Sequence, residues 1–94
     1  MLNRMRGNSN NRCKHDAIRD ILQFFMFNEN VKKTELFYTL NINAAVGNKY
    51  FRALRHAEMI ISLEGDFGDW DTVYDITPNG VLWLNLYSQI ESIL

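Results

Sequence analysis

From Ala44 to Ala57 the sequence reads AAVGNKYFRALRHA, with three cations and a histidine between residues 49 and 56 and no acid anywhere in the stretch. On a helix, Ala45, Asn48, Lys49, Arg52 and His56 follow one line, with Arg55 beside them. Gly47, Phe51 and Leu54 follow the opposite line. One side is therefore apolar and closely packed, and the other is polar and cationic. An α-helix fits the major groove of B-form DNA, where Asn, Lys and Arg side chains pair with base edges or phosphates. The spacing assigns Asn48, Lys49 and Arg52 to bases and Arg55 or His56 to the backbone. The competing reading is an ordinary solvated helix face.

Two further groups of residues have chemistry to offer. Arg4, Arg6, Arg12 and Lys14 sit in an Asn- and Gly-rich opening, MLNRMRGNSNNRCK, that lacks periodicity. A flexible basic arm of this kind can track phosphates or reach a minor groove, or can simply be a solubilising tail. Glu64, Asp66, Asp69 and Asp71 make an acidic segment around Phe67 and Trp70. Carboxylates repel phosphate. The segment fits a protein contact with an aromatic anchor, or a loop whose Trp70 folds back over its own strands.

Enzyme chemistry finds little here. His15 and His56 are far apart, and Cys13 has no second cysteine, so Cys13 and His15 fall short of a metal site. The Asp66, Asp69, Asp71 spacing lacks the pattern and closing Glu of a calcium loop. No phosphate loop or nucleophile motif occurs. The expectation is a protein that is not an enzyme, with no cofactor, no metal and no small-molecule ligand.

The elements that must position the cationic ridge follow from periodicity and punctuation. A first helix is expected from about Lys14 to Asn28, with Ile18, Ile21, Leu22 and Phe25 at helical spacing. Phe24, Met26 and Phe27 widen its apolar face, which predicts cover on more than one side. Asn28-Glu29-Asn30 breaks the pattern. A short second helix runs from about Lys33 to Leu40, burying Leu36, Phe37 and Leu40. Asn41-Ile42-Asn43 is a turn, and Asn43 is a good N-cap for a third helix over 44–57, whose apolar line Glu58 extends. Met59 to Glu64 and Thr72 to Ile76 are β-prone runs joined by a turn-rich link, a hairpin with a long loop. Thr77 then caps a last helix, with Pro78 at its first position, where a missing N–H costs nothing. Gly80, in its first turn, lets the helix start sit close to a neighbour.

Composition sets the frame. The chain has 94 residues, enough for one domain with a modest core, and 47% of them are hydrophobic. No apolar run reaches the roughly 18–20 residues of a membrane span, and the N-terminus has no apolar stretch of a secretory signal. A single cysteine permits no internal disulfide and fits a reduced, cytoplasmic protein, nucleoid-associated if it binds DNA. The net charge of −1 hides a division. Residues 1–55 hold all ten Lys and Arg against four acids, whereas residues 56–94 hold seven acids and neither Lys nor Arg. Such a split predicts two faces with different partners.

The order helix, helix, helix, strand, strand, helix, with a three-residue turn before the third helix, predicts a winged helix-turn-helix: mainly α with a β-hairpin. The stretch KKTELFYTLNINAAVGNKYFRALRHAEMI resembles the helix-turn-helix of small archaeal winged-helix DNA-binding proteins. The places that match are Lys33-Thr34, Leu36, Asn41-Ile42-Asn43, Tyr50-Phe51, Leu54 and Glu58-Met59-Ile60. HDAIRDIL resembles the first helix of that group, and YDITPNG its strand-to-helix junction. The resemblance covers about residues 13–90. It departs from the group at Glu58, where glycine is usual, and in the wing, which lacks the expected cation.

The resulting expectation has a basic arm over 1–12 and one winged-helix domain over 13–94. Duplex DNA is the expected partner, and transcriptional regulation or chromatin association the expected role. Ala45, Asn48, Lys49, Arg52, Arg55, His56, Lys33, Thr34, Lys14, Arg4, Arg6 and Arg12 are the DNA-binding candidates. The resemblance implies a homodimer joined through helix 78–93. Leu82, Leu86, Ile90 and Ile93 would line one side of that helix, and Trp83, Tyr87 and Leu94 another. The alternative use of the helix is burial all round in a groove. The alternative function is a protein-interaction module that works through the acidic wing and last helix.

Overall fold

The computed structural model describes residues 14–63 and 72–93. Seven elements follow one another: α1 (Lys14–Phe27), β1 (Val31–Lys32), α2 (Lys33–Leu40), α3 (Ala44–His56), β2 (Ile60–Leu63), β3 (Val73–Ile76) and α4 (Pro78–Ile93). The expected helices and both hairpin strands are present, so the architecture is a winged helix-turn-helix. The link between β2 and β3, with Glu64, Asp66, Phe67, Asp69, Trp70 and Asp71, lies outside the described residues, as do the 1–12 arm and Cys13.

The first three helices each stop for an identifiable reason. At the end of α1 the Asn28 amide donates to the Phe24 carbonyl at 2.9 Å, and Asn30 takes a left-handed backbone at φ 54°. α2 ends on Asn41 at φ 57°. Asn41 N–H donates to Tyr38 O, and Ile42 N–H donates to Phe37 O at 2.9 Å. This is the paired closure of a left-handed helix stop. Asn43 then caps α3, its side-chain oxygen accepting from Val46 N–H at 2.9 Å. α3 closes in the same way as α2. Glu58 N–H donates to Arg55 O and Met59 N–H to Leu54 O, around Glu58 at φ 59°. The left-handed position falls where the resembling group has glycine. Glu58 is thus exposed and past the helix end, rather than extending the apolar line of α3.

The core lies between α1, α2, α3 and the sheet. Ile18, Ile21, Leu22, Phe25, Val31, Leu36, Phe37, Phe51, Leu54, Ile60 and Tyr74 are buried together. Phe51 is its hub, meeting Phe37 edge-on at 5.4 Å, Tyr74 edge-on at 5.1 Å and Phe25 at 6.1 Å. Each such fully buried side chain contributes roughly 1.5–3 kcal/mol of transfer free energy. Gly47 is required here, because a Cβ at this position would overlap the buried Phe37 ring.

The sheet has three strands in the order β1-β3-β2, both pairs antiparallel. The hairpin register pairs Ile60 with Ile76 and Ser62 with Tyr74. The additional strand is β1, which pairs Val31 with Tyr74. Two residues are too few for any periodicity, so it left no pattern in the sequence.

The junction before α4 forms as its residues dictate. Thr77 Oγ1 accepts from Gly80 N–H at 3.2 Å and donates to the Glu58 carbonyl at 2.6 Å. Thr77 N–H donates to Met59 O at 3.0 Å. Gly80 is buried, and a Cβ there would meet the Met59 carbonyl. The end of α3 and the start of α4 are therefore held together.

The expected second cover over α1 does not form among the described residues. Phe24 is half-buried against the core, but Met26 and Phe27 stand 49% and 83% exposed. The chain turns at residues 28–30 into β1, and no described element covers Met26 and Phe27.

Candidate nucleic-acid interface

α3 presents its faces as its sequence spacing requires. Gly47, Phe51 and Leu54 are buried, while Ala45, Lys49, Arg52, Arg55 and His56 are exposed. At about 100° per residue, Ala45, Lys49, Arg52 and His56 lie opposite the buried line, with Asn48 and Arg55 on one flank. The flank faces the sheet: the Arg55 guanidinium lies 5.8 Å from the Tyr74 ring centroid. Such a contact holds a long cationic side chain against a rigid platform.

Lys33, expected among the DNA-binding residues, does not stand free on the surface. It is 7% exposed at the start of α2, and its Nζ donates to Asn48 Oδ1 at 2.8 Å. A buried ammonium needs such a partner, since leaving it unpaired costs several kcal/mol. Lys33, Asn48, Arg52, Arg55 and His56 come together around one open concavity of about 530 Å³, with Phe51 and Tyr74 in its wall. Tyr74 is the residue that sequence spacing could not supply. It sits in β3, far along the chain, and only the strand pairing brings it under Arg55.

Thr34 and Lys14 are exposed at the starts of α2 and α1. Arg4, Arg6 and Arg12 lie outside the described residues, as do the carboxylates of the 64–71 segment. Among the described residues no group of His, Cys, Asp and Glu could hold a metal ion, and no helix is long and apolar enough to cross a membrane. What α3 and its flank offer chemically is a convex cationic ridge with amide and guanidinium donors, and beside it a concave, cation-lined wall.

α4 exposes an apolar line. On α4 only Gly80 is buried. Leu82, Leu86, Ile90 and Ile93 stand 57%, 50%, 54% and 82% exposed. Trp83 and Tyr87 lie beside this line, half-buried, and stack on each other at 5.0 Å; with His15 they share a shallow concavity with Leu86 and Ile90. His15 of α1 lies over Trp83 at 6.4 Å. The Tyr87 hydroxyl donates to Asp16, and Arg19 pairs with Glu91 at 2.7 Å. Partial burial alone would lower the Arg19 pKa; the hydrogen bond and charge of Asp20, with Glu91 and Asp16, more than offset it and hold the pKa above its ordinary value. α4 is therefore pinned on α1 along one side and uncovered along the other, rather than buried all round. Leu94 lies outside the described residues.

The sequence profile of the winged helix-turn-helix family matches residues 11–94. No curated protein matches the sequence significantly. Among solved structures, the chain is similar to MarR of Staphylococcus aureus in complex with salicylate and kanamycin (TM-score 0.71, 14% identity, 82% of this chain and 52% of that one). It is similar to a mutant MepR of S. aureus (TM-score 0.68, 10% identity, 80% of this chain and 56% of that one). It is also similar to ZitR of Lactococcus lactis in complex with DNA (TM-score 0.63, 17% identity, 88% of this chain and 57% of that one). The chain thus spans little more than half the length of these structures, and at such identities the likeness is one of fold.

Proposed function

Because this chain belongs to the winged helix-turn-helix family, we propose that it is a duplex DNA-binding protein, a transcription regulator that lays α3 in the major groove. The observation that carries this reading is the exposed ridge of Lys49, Arg52 and His56 on α3, with Asn48 and Arg55 on its flank. Lys49 and Arg52 meet bases or phosphates. Arg55, steadied on Tyr74, meets the backbone beside the groove. Lys33 supports Asn48 from beneath, while Thr34, Lys14 and the arm with Arg4, Arg6 and Arg12 add backbone contacts. The protein acts as a homodimer through the uncovered line of α4, so that two α3 helices address two half-sites one helical turn apart.

The test is a gel-shift titration at two salt concentrations with Lys49→Ala and Arg52→Ala combined. Each phosphate contact adds about 0.9 to the slope of log K against log salt, so loss of both cations lowers the slope by up to about 2 and weakens binding. Unchanged affinity and slope would remove α3 as the reader. The protein-interaction reading rests on the acids of residues 64–71 and the lack of Lys and Arg after residue 55. A protein that passes through immobilised random duplex at low salt would favour it.

A further inference from the structure

We propose that Lys33 sets the base preference of Asn48, by committing the asparagine amide to present hydrogen-bond donors to the groove. The inference rests on the reading of α3 as the groove helix. Lys33 is a positioning residue in it, and Asn48 the residue that touches the base.

The orientation of the Asn48 amide follows from the chemistry of its partner. An ammonium has three N–H donors and no acceptor. The atom of Asn48 that meets Lys33 Nζ at 2.8 Å is therefore its carbonyl oxygen. Lys33 is 7% exposed, and this charge-assisted bond engages the oxygen on the side of α2. What Asn48 has left to offer is Nδ2 with its two N–H groups. No described residue takes them, and Asn48 lies half-buried in the wall of the cationic concavity beside Arg52.

An unconstrained asparagine in the major groove favours adenine. Its oxygen accepts from the N6 amino group while its nitrogen donates to N7, and both ends of the amide must face the base. Asn48 with its oxygen drawn back to Lys33 loses the accepting half of that pair. Its N–H groups instead suit edges that present acceptors, namely O6 and N7 of guanine or O4 of thymine. The pairing between α2 and α3 thereby changes which base an otherwise adenine-reading side chain selects.

The experiment is a selection from random duplexes with the wild-type protein, Lys33→Met and Asn48→Asp, with retention on unselected duplex measured alongside. The wild type is expected to enrich guanine or thymine at one position of each half-site. Lys33→Met keeps the length of the side chain but frees the Asn48 oxygen. It is expected to shift that position toward adenine by about tenfold, with the rest of the site unchanged. A lysine that merely supports the fold would lower affinity for every sequence alike. Asn48→Asp keeps a partner for Lys33 and so guards against misfolding of the first variant. It leaves only an acceptor and is expected to move the position to cytosine or adenine, whose amino groups donate. Adenine at that position in the wild type, or an unaltered site in both variants, would overturn this inference and leave α3 as the groove helix. A wild type that retains no duplex at all would overturn the reading of α3 as well.

Discussion

Glu58 concentrates several demands on one backbone position. It closes α3 with a left-handed φ of 59°, and its carbonyl accepts from the Thr77 hydroxyl that caps α4. A left-handed conformation costs a residue with a Cβ about 1–2 kcal/mol, which glycine avoids. Neither role of Glu58 here uses its side chain. Glu58→Gly is therefore expected to raise stability by about 0.5–1 kcal/mol, the unfolded chain's added freedom offsetting part of the gain. Denaturant unfolding would register this as a higher midpoint at unchanged slope. A lower midpoint would mean that the carboxylate itself stabilises the domain. Gly47 shows the opposite constraint. It cannot accept a Cβ, because Phe37 is held between the backbone of α3 and the Phe51 ring. At the interface, the Lys33–Asn48 bond shows how little a residue's type says about what it does. A lysine expected among the DNA contacts is turned into the protein and holds another side chain.

At the scale of elements, α3 and α4 stand in contrast. α3 has a clean division between a buried and a polar face, and Asn43 secures its start with a cap that contributes about 1 kcal/mol. α4 is apolar on two sides. One side is satisfied by α1, through Tyr87 on Asp16, His15 over Trp83 and Arg19 on Glu91. The other, with Leu82, Leu86 and Ile90 one turn apart and Ile93 beyond, has no cover within the described chain. A small protein seldom leaves such a stripe in water. Leu86→Asp is expected to halve the mass seen by light scattering. It should also abolish the dependence of melting temperature on protein concentration that a dimer shows. Because Leu86 is half-exposed, the single subunit should keep its helical circular dichroism. A mass unchanged by the substitution would rule out α4 as the contact.

For the whole molecule the decisive property is the division of charge. All ten Lys and Arg precede residue 56, and seven of the eleven acids follow it. The fold places Lys49, Arg52 and Arg55 on one exposed helix, so that a polyanion would meet a cationic ridge although the net charge is −1. Association with DNA should then depend steeply on salt. Removal of residues 1–12 takes away Arg4, Arg6 and Arg12. It is expected to lower the slope of log K against log salt by up to about 3, at about 0.9 per phosphate, with the base preference intact. An unchanged slope would show that the arm makes no contact with the backbone.

The sequence alone determined the helices, the hairpin, the caps at Asn43 and Thr77 and the exposed ridge of α3. All of these follow from local periodicity and from residues whose backbone or side-chain chemistry acts within a few positions. The stripe of Leu82, Leu86, Ile90 and Ile93 was legible for the same reason. Tertiary structure alone decided which of these faces found a partner. It inserted β1 against β3, left Met26 and Phe27 uncovered, and set Arg55 over Tyr74. It also turned Lys33 inward onto Asn48. Those outcomes depend on contacts between residues distant in the chain, where spacing carries no information and the closeness of two packed elements carries all of it.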